Sequence, residues 1–181
     1  MEITFLGTSS AVPSKYRNHA GIILKYFKDT ILFDCGEGTQ RQLTYAKISP
    51  MKIDKIFITH FHGDHVLGLP GLWMTMGNNG RTEPVHLWGN PGLQQIVDGL
   101  MVVCPQLPFE VICHDVAELG YQFELNGLQV QAAPVEHRVP CLAYSIALPR
   151  VGKFDAARAK ANQIPLNYWG ALQKGETIVD G

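Results

Sequence analysis

Three histidines and one aspartate are crowded into the six residues from His60 to His65, in the stretch ITHFHGDHVLGLPG. Imidazole nitrogen and carboxylate oxygen are the ligands that zinc and similar divalent ions prefer in proteins. Without a metal this crowding would be unfavourable, because burial and mutual repulsion oppose the charged forms of these side chains. We therefore interpret the pattern H-x-H-x-D-H as a metal site rather than as a solvated polar loop.

The apolar run KIFIT, which directly precedes the histidines, is typical of a buried strand. Binding sites in α/β proteins gather beyond the carboxyl ends of strands. His60 and His62, two residues apart in an extended loop, can point to one metal position. Asp64 and His65, near the start of the next helix, can point to a second position at the spacing of about 3.5–4 Å that is typical of two-metal sites.

His137 ends a predicted strand in PVEHRVP, and a strand end can face the same crevice. Together with His60 and His62 it would give the three protein ligands of a typical catalytic zinc. Asp64 and His65 alone give a second metal too few ligands, and the chain after His137 offers no clear source of more. The remaining histidines are predicted to be structural or exposed rather than ligands: His19, His86 and His114.

The elements that must position these residues alternate between strands and helices. Strands are predicted at EITFLG, AGIILKYF, DTILFDC, KIFIT, PVHLWG, FEVICHDV, YQFELN, LQVQAAPVEH and LAYSIAL. Helices are predicted at GEGTQRQLTYAKI, GLPGLWMTM and NPGLQQIVDGLMVVC, the last with Asn90 and Pro91 as its cap and first turn. This order predicts an α/β sheet with helices packed on it.

The segment from Arg150 to Lys174 is basic, with five Lys and Arg residues against one acid, Asp155. Within it, FDAARAKANQ predicts a short helix and IPLNYWG a loop, so we expect an appendage to the sheet domain. The alternative is that these charges form an ordinary solvated helix face. The final residues, TIVDG, are typical of the start of a strand or turn.

Composition limits the class of protein. The 181 residues are 46% hydrophobic and 17% charged, as in globular domains with a substantial core. A net charge of −1 argues against a generally basic nucleic-acid binder, so a polyanion would need a local patch. Four cysteines without a C-x-x-C pair favour reduced thiols. Because we find neither a signal peptide nor a membrane-spanning run, we expect a soluble cytoplasmic protein.

These residues resemble the metallo-β-lactamase superfamily, whose signature is H-x-H-x-D-H, and more narrowly the ribonuclease Z (tRNase Z) family. The resemblance is carried by FLGTSSAVPSKYRN, LFDCGEGTQRQL, KIFITHFHGDHVLGLPGL, PVEHRVPCLAYSI and GKFDAARAKANQIP. It implies an αββα sandwich, of which this chain would carry roughly the N-terminal half plus a basic arm. The implied divisions are the metallo-β-lactamase-like part at 1–149, a tRNA-binding arm at 150–176, and the start of the C-terminal part at 177–181.

The resemblance also implies roles for single residues. His60, His62 and His137 would hold one zinc ion, and Asp64 and His65 the other, with Mn²⁺ as the alternative metal. Asp64 would act as general base. Asp34, unless it is an ordinary turn residue, would orient a ligand histidine, and Gly36 and Gly38 would allow tight backbone nearby. The implied RNA-binding residues are Arg150, Lys153, Arg158 and Lys160.

The implied activity is zinc-dependent hydrolysis of the phosphodiester that joins the 3′ end of a precursor tRNA to its trailer, by a homodimer. The sequence departs from the family in two respects. LNYWG replaces the Gly-Pro pair that usually follows Ile-Pro in the arm. Relatives of the short form also continue well past the equivalent of Gly181, with the bridging aspartate and further histidines. Two alternatives therefore stay open: a hydrolase or phosphodiesterase for a small substrate, and a catalytically incomplete fragment.

Overall fold

The computed structural model describes residues 1–116, 121–150 and 152–179. The strands, in chain order, are β1 (Glu2–Gly7), β2 (Gly21–Tyr26), β3 (Asp29–Phe33), β4 (Ile53–Phe57), β5 (Val85–Gly89), β6 (Val111–Asp115), β7 (Tyr121–Leu125), β8 (Leu128–Val135) and β9 (Cys141–Ala147). The α-helices are α1 (Thr39–Tyr45), α2 (Gly63–Val66), α3 (Leu69–Asn78), α4 (Leu93–Met101), α5 (Ala156–Ala161) and α6 (Leu166–Gln173).

The main sheet has six strands in the order β1-β2-β3-β4-β5-β6, and β7-β8-β9 form a second, smaller sheet. The pairs β1–β2 and β2–β3 are antiparallel, whereas β3–β4, β4–β5 and β5–β6 are parallel. Because parallel strands end at the same edge of a sheet, the loops after β3, β4 and β5 meet there. This edge carries Asp34 and the residues from Thr59 to His65.

The hydrophobic core lies between one face of the main sheet and the helices. Alternate strand residues point into it, as Val85 and Leu87 of β5 do, and both are fully buried. The helices α1, α3 and α4 contribute the other side: Leu43, Leu69, Leu72, Trp73, Met76, Leu93 and Val97.

The opposite face of the main sheet carries a row of stacked rings. Phe33 stacks on Phe57 at a centroid distance of 5.2 Å, Phe57 on Trp88 at 4.8 Å, and Trp88 on His114 at 4.6 Å. The rings stack because these residues are register partners on adjacent parallel strands. His86 lies beside this row, with its Nδ1 3.0 Å from His114 Nε2.

Arg81 cross-links the amino-terminal end of the parallel strands. Its side chain is only 6% exposed, and its guanidinium donates to four backbone carbonyl oxygens at 2.7–3.2 Å. These belong to Met51, Ile53, Glu83 and Pro84. The arginine therefore joins the residues that lead into β4 and β5, at the sheet edge opposite the histidine cluster.

Two boundaries near the cluster differ from those predicted. Helix α4 is not capped by Asn90, because Gly92, with φ 94°, occupies the N-cap position and the Asn90 amide donates elsewhere. Strand β8 ends at Val135, so His137 lies in the loop to β9 and not in a strand. Pro134, near the end of β8, has no N–H to continue a ladder.

The chain divides into two compact units, one comprising Met1–Gln122 and Gln131–Ser145, the other comprising Phe123–Val130 and the chain from Ile146 onward. In the second unit α5 confirms the helix predicted there, and the Asp155 side chain caps it by accepting from Arg158 N at 2.9 Å.

The prediction of a loop at IPLNYWG was wrong, because α6 begins at Leu166. Pro165 fits a helix start, and Trp169 stabilises the first turn by donating from Nε1 to Ile164 O at 3.0 Å. Thr177–Val179 form no regular element, while Asp180 and Gly181, the rest of the predicted strand or turn, lie outside the described residues. None of the helices in the described part of the chain has the length and apolar character that a membrane crossing requires.

Candidate metal centre

His60, His62 and His137 each place one ring nitrogen within 4.8 Å of the other two. His60 Nε2 is 2.9 Å from His62 Nδ1, which is 3.3 Å from His137 Nε2. Three nitrogens at zinc–nitrogen distances of about 2.0–2.1 Å in a tetrahedron would lie about 3.3 Å apart. The donor set therefore fits a single zinc-like ion.

These three ligand candidates come from two loops. His60 lies just beyond β4, and His62 takes the N-cap position of α2. Burial and the neighbouring imidazole of His65 lower the pKa of His60 to about 4, so its ring is neutral at pH 7. Neutral imidazole is the form that binds a metal. His137 is exposed in the loop between β8 and β9, so its position depends on how that loop is held.

Asp64 and His65 form a second set, both from α2. His65 Nε2 lies 3.4 Å from Asp64 Oδ2, and the His65 and His60 rings are 4.0 Å apart between centroids. The two sets line one cavity of 620 Å³. Among the described residues, this chain places three candidate ligands at the first position and two at the second.

Asp34 connects the two sets. Its Oδ2 lies 2.7 Å from His65 Nδ1, and its Oδ1 accepts from Thr59 N at 2.8 Å. The Thr59 hydroxyl reaches both Asp34 oxygens and lies 3.0 Å from His60 Nδ1. Burial alone would lower the pKa of His65, but the hydrogen bond and charge of Asp34 raise it above its ordinary value. One carboxylate therefore contacts a histidine of the second set directly and one of the first set through Thr59.

Tight backbone surrounds the cavity at two glycines. A Cβ on Gly36 would collide with the Asp64 carbonyl oxygen and with His19 Cβ, and one on Gly68 with the Gly36 carbonyl oxygen. Gly38 has φ 81° at the N-cap position of α1, a conformation that favours glycine. The loop after β3 and the helix that carries Asp64 can therefore approach closely only without side chains at these points.

Three residues that line or support the cavity were not assigned from the sequence. Thr59 stands inside the motif, but its hydroxyl becomes important only through its contact with Asp34. Asn90, predicted to be a helix cap, is 5% exposed and donates to Thr59 O and Pro140 O, in the two loops that carry His60, His62 and His137. His19 is 6% exposed and lines the cavity, and its two ring nitrogens have no hydrogen-bond partner among the described residues.

The residues predicted to bind RNA all lie in the second unit, and each is exposed: Arg150, Lys153, Arg158 and Lys160. Arg158 and Lys160 lie on α5, which is held by the Asp155 cap and buries Ala159. The structure thus presents these cations to solvent.

The sequence model of a family described as "Anti-Pycsar protein Apyc1" matches residues 1–150. The chain belongs to this family. Proteins named ribonuclease Z are also similar to it. The one from Agathobacter rectalis is 43% identical over 178 residues, which are 98% of this chain and 59% of that protein. The one from Methanothermobacter thermautotrophicus is 45% identical over 177 residues, 97% of this chain and 57% of that protein. The predicted resemblance to ribonuclease Z is confirmed.

Solved structures place this member of the family in the metallo-β-lactamase fold. The short form of human tRNase Z has a TM-score of 0.75 and 33% identity, over 82% of this chain and 65% of that one. The metallo-β-lactamase fold protein YhfI from Bacillus subtilis has a TM-score of 0.66 at 17% identity, over 80% and 56% of the two chains, and shows the fold alone. The predicted fold class is confirmed. The chain spans about 60% of the length of the curated relatives it matches.

Proposed function

We propose that this chain is the metal-binding part of a zinc-dependent endoribonuclease that removes the 3′ trailer from precursor tRNA. The observation that carries the proposal is the convergence of His60, His62 and His137, in a chain 43% identical to a ribonuclease Z. Because the chain spans about 60% of such relatives, the proposal concerns the part of the enzyme that supplies these ligands.

His60, His62 and His137 would hold the first ion, and Asp64 and His65 would contribute to the second. Imidazole-rich sites favour zinc, with Mn²⁺ as the alternative. When bound, such ions activate water and neutralise charge that develops on phosphoryl oxygens. The residues of this chain must therefore present neutral nitrogens and an ionised carboxylate to one cavity.

Asp34 and Thr59 are proposed to fix the histidine tautomers. His65 Nδ1 donates to Asp34 Oδ2, which leaves the lone pair on Nε2, the nitrogen nearer Asp64. Such a carboxylate–histidine contact orients a ligand and raises its basicity. Asp64 lies in the first turn of α2 and lines the cavity, where it would take a proton from the attacking water as general base.

The relatives named ribonuclease Z and the proposed basic arm at 150–176 support a tRNA substrate. Exposed Lys and Arg contact phosphates and position a nucleic acid without reading its sequence. Arg150, Lys153, Arg158 and Lys160 are assigned this role, and the reaction leaves a tRNA with a 3′-hydroxyl and a trailer with a 5′-phosphate. A homodimer and a cytoplasmic location are proposed on the resemblance alone.

The test compares a labelled precursor tRNA with a small phosphodiester, at measured zinc content. Asp64→Asn should abolish trailer removal, whereas Asp98→Asn, at an exposed position on α4, should leave it unchanged. Faster cleavage of the small phosphodiester would support the small-substrate hydrolase instead. If zinc-loaded protein cleaves neither substrate, the 181-residue chain is catalytically incomplete.

A further inference from the structure

We propose that Asn90 is a positioning residue that holds the loop of His137 against the loop of His60 and His62. This inference rests on the proposed metal site. Among the residues that the structure describes, no hydrogen bond joins the Asn90 side chain to a candidate ligand. Its effect would be to bring together ligands that come from distant parts of the chain.

The amide of Asn90 bridges two backbone carbonyl groups. Asn90 follows β5 directly, and its Nδ2 lies 3.0 Å from Thr59 O and 3.1 Å from Pro140 O. A side-chain amide nitrogen carries two N–H donors, so each carbonyl can receive one. Thr59 immediately precedes His60, and Pro140 is three residues after His137. One buried side chain therefore links both ligand loops.

The loop that carries His137 needs such a link. Its residues Glu136, His137 and Arg138 are all exposed, so burial does not hold them in place. At the start of β9, Leu142 N donates to Thr59 O at 2.9 Å, and Tyr144 donates from its hydroxyl to Ile58 O at 2.9 Å. These contacts fix β9 beside the end of β4, and the bond from Asn90 extends the attachment to Pro140, nearer to His137.

The geometry separates this role from ordinary helix capping. Asn-Pro before a helix is typical of a cap, yet Gly92 takes the N-cap position of α4 and the Asn90 donors point to the two loops. The same Thr59 whose carbonyl accepts from Asn90 places its hydroxyl 3.0 Å from His60 Nδ1. Asn90 thus contacts the residue that precedes His60 and a residue three positions after His137.

A double-mutant cycle on zinc affinity, measured by competition with a chelator, tests this role. Asn90→Ala should weaken zinc binding about 10–100-fold, the range for residues that orient metal ligands. In a His137→Ala background, the same substitution should change the affinity by no more than about twofold, because the ligand it positions is already gone. Asn79→Ala is the matched control, since it removes a side-chain bond to Thr75 O far from the loops of the site.

Several results would overturn the inference. If Asn90→Ala binds zinc as tightly as Asn79→Ala does, Asn90 has no role in positioning the candidate ligands. Equal losses in both backgrounds would show that it does not act through His137. If thermal unfolding shows that Asn90→Ala does not fold, Asn90→Leu carries the cycle, because it roughly keeps the volume and removes both donors without adding a charge. If His137→Ala leaves zinc affinity unchanged, the proposed metal site itself is wrong.

Discussion

The two sets of candidate ligands lie side by side but are assembled differently. Asp64 and His65 are neighbours on one helix, and Asp34 holds the second of them. His62 and His137, by contrast, are separated by 75 positions and meet only because two loops are held together. The geometry of the local set, Asp64 and His65, should therefore depend on α2 and on the Asp34 carboxylate. The geometry of the distant set, His60, His62 and His137, should depend on how β9 and the loop before it pack against β4.

Removing a ligand from the distant set should have the largest effect. His62→Ala deletes the imidazole whose Nδ1 lies 2.9 Å from His60 Nε2 and 3.3 Å from His137 Nε2. Zinc affinity should therefore fall on the order of a thousandfold. Isothermal titration with zinc measures this loss directly. His86→Ala, outside the cavity, should bind zinc normally. Full affinity in His62→Ala would contradict the three-histidine site.

Asp34→Asn should be the next most harmful change, and it should impair both sets. The amide keeps the size of the carboxylate but brings an N–H group towards His65 Nδ1 or Thr59 N, which both donate to Asp34. We expect a 10–100-fold loss of metal affinity, roughly the range for such orienting residues. Metal analysis of this variant beside Asp98→Asn tests it. If metal affinity falls at only one of the two sets, the contact through Thr59 does not couple them.

Tyr144→Phe should weaken zinc binding by the distant set less than the two preceding substitutions do. It removes the hydroxyl that donates to Ile58 O at 2.9 Å, and a lost hydrogen bond of this kind costs about 1 kcal/mol of stability. Thermal unfolding should show this loss, with a few-fold weaker zinc binding. Tyr16→Phe, at an exposed position, is the control and should change neither quantity. Unchanged zinc affinity in a destabilised Tyr144→Phe would separate the strand contact from the metal centre.

The smallest expected effect is a difference in pKa between His65 of the local set and His60 of the distant set, in the metal-free protein. The pKa of His65 is raised above 6.5, so its stabilising contribution is complete below pH 6.5 and is lost as the pH rises through the folded-state pKa. The pKa of His60 is lowered to about 4, so stability falls as the pH drops from 6.5 towards 4. NMR of the imidazole nitrogens measures both. Identical midpoints near 6.5 would contradict the contrast.

The same difference between local and distant contacts explains what the sequence could predict. His60, His62, Asp64 and His65 stand within six residues, so their spacing alone indicated a metal site. His137 was linked to them through its predicted strand end and the family resemblance, because no local pattern connects positions so far apart.

At two of the wrongly predicted elements, the Asn90 cap and the IPLNYWG loop, side-chain contacts outweighed local propensity. Asn90 follows the pattern of a helix cap, yet its donors serve two loops. The segment of α6 contains Asn167 and Gly170, which are poor helix formers. The ring of Trp169, 5.3 Å from that of Phe154, and its bond to Ile164 O stabilise the helix there. The contact with Phe154 joins rings 15 positions apart, so the propensities of the α6 residues do not indicate it.

Arg81 has a consequence for how variants of this protein are compared in living cells. Because its guanidinium serves four carbonyl groups at the edge remote from the histidines, replacing it would leave these acceptors unpaired without touching the chemistry. A loss of only about 1–2 kcal/mol can lower cellular abundance several-fold through chaperones and proteases. A genetic screen would then score such a variant as inactive, although the histidine cluster of each folded molecule would be unchanged.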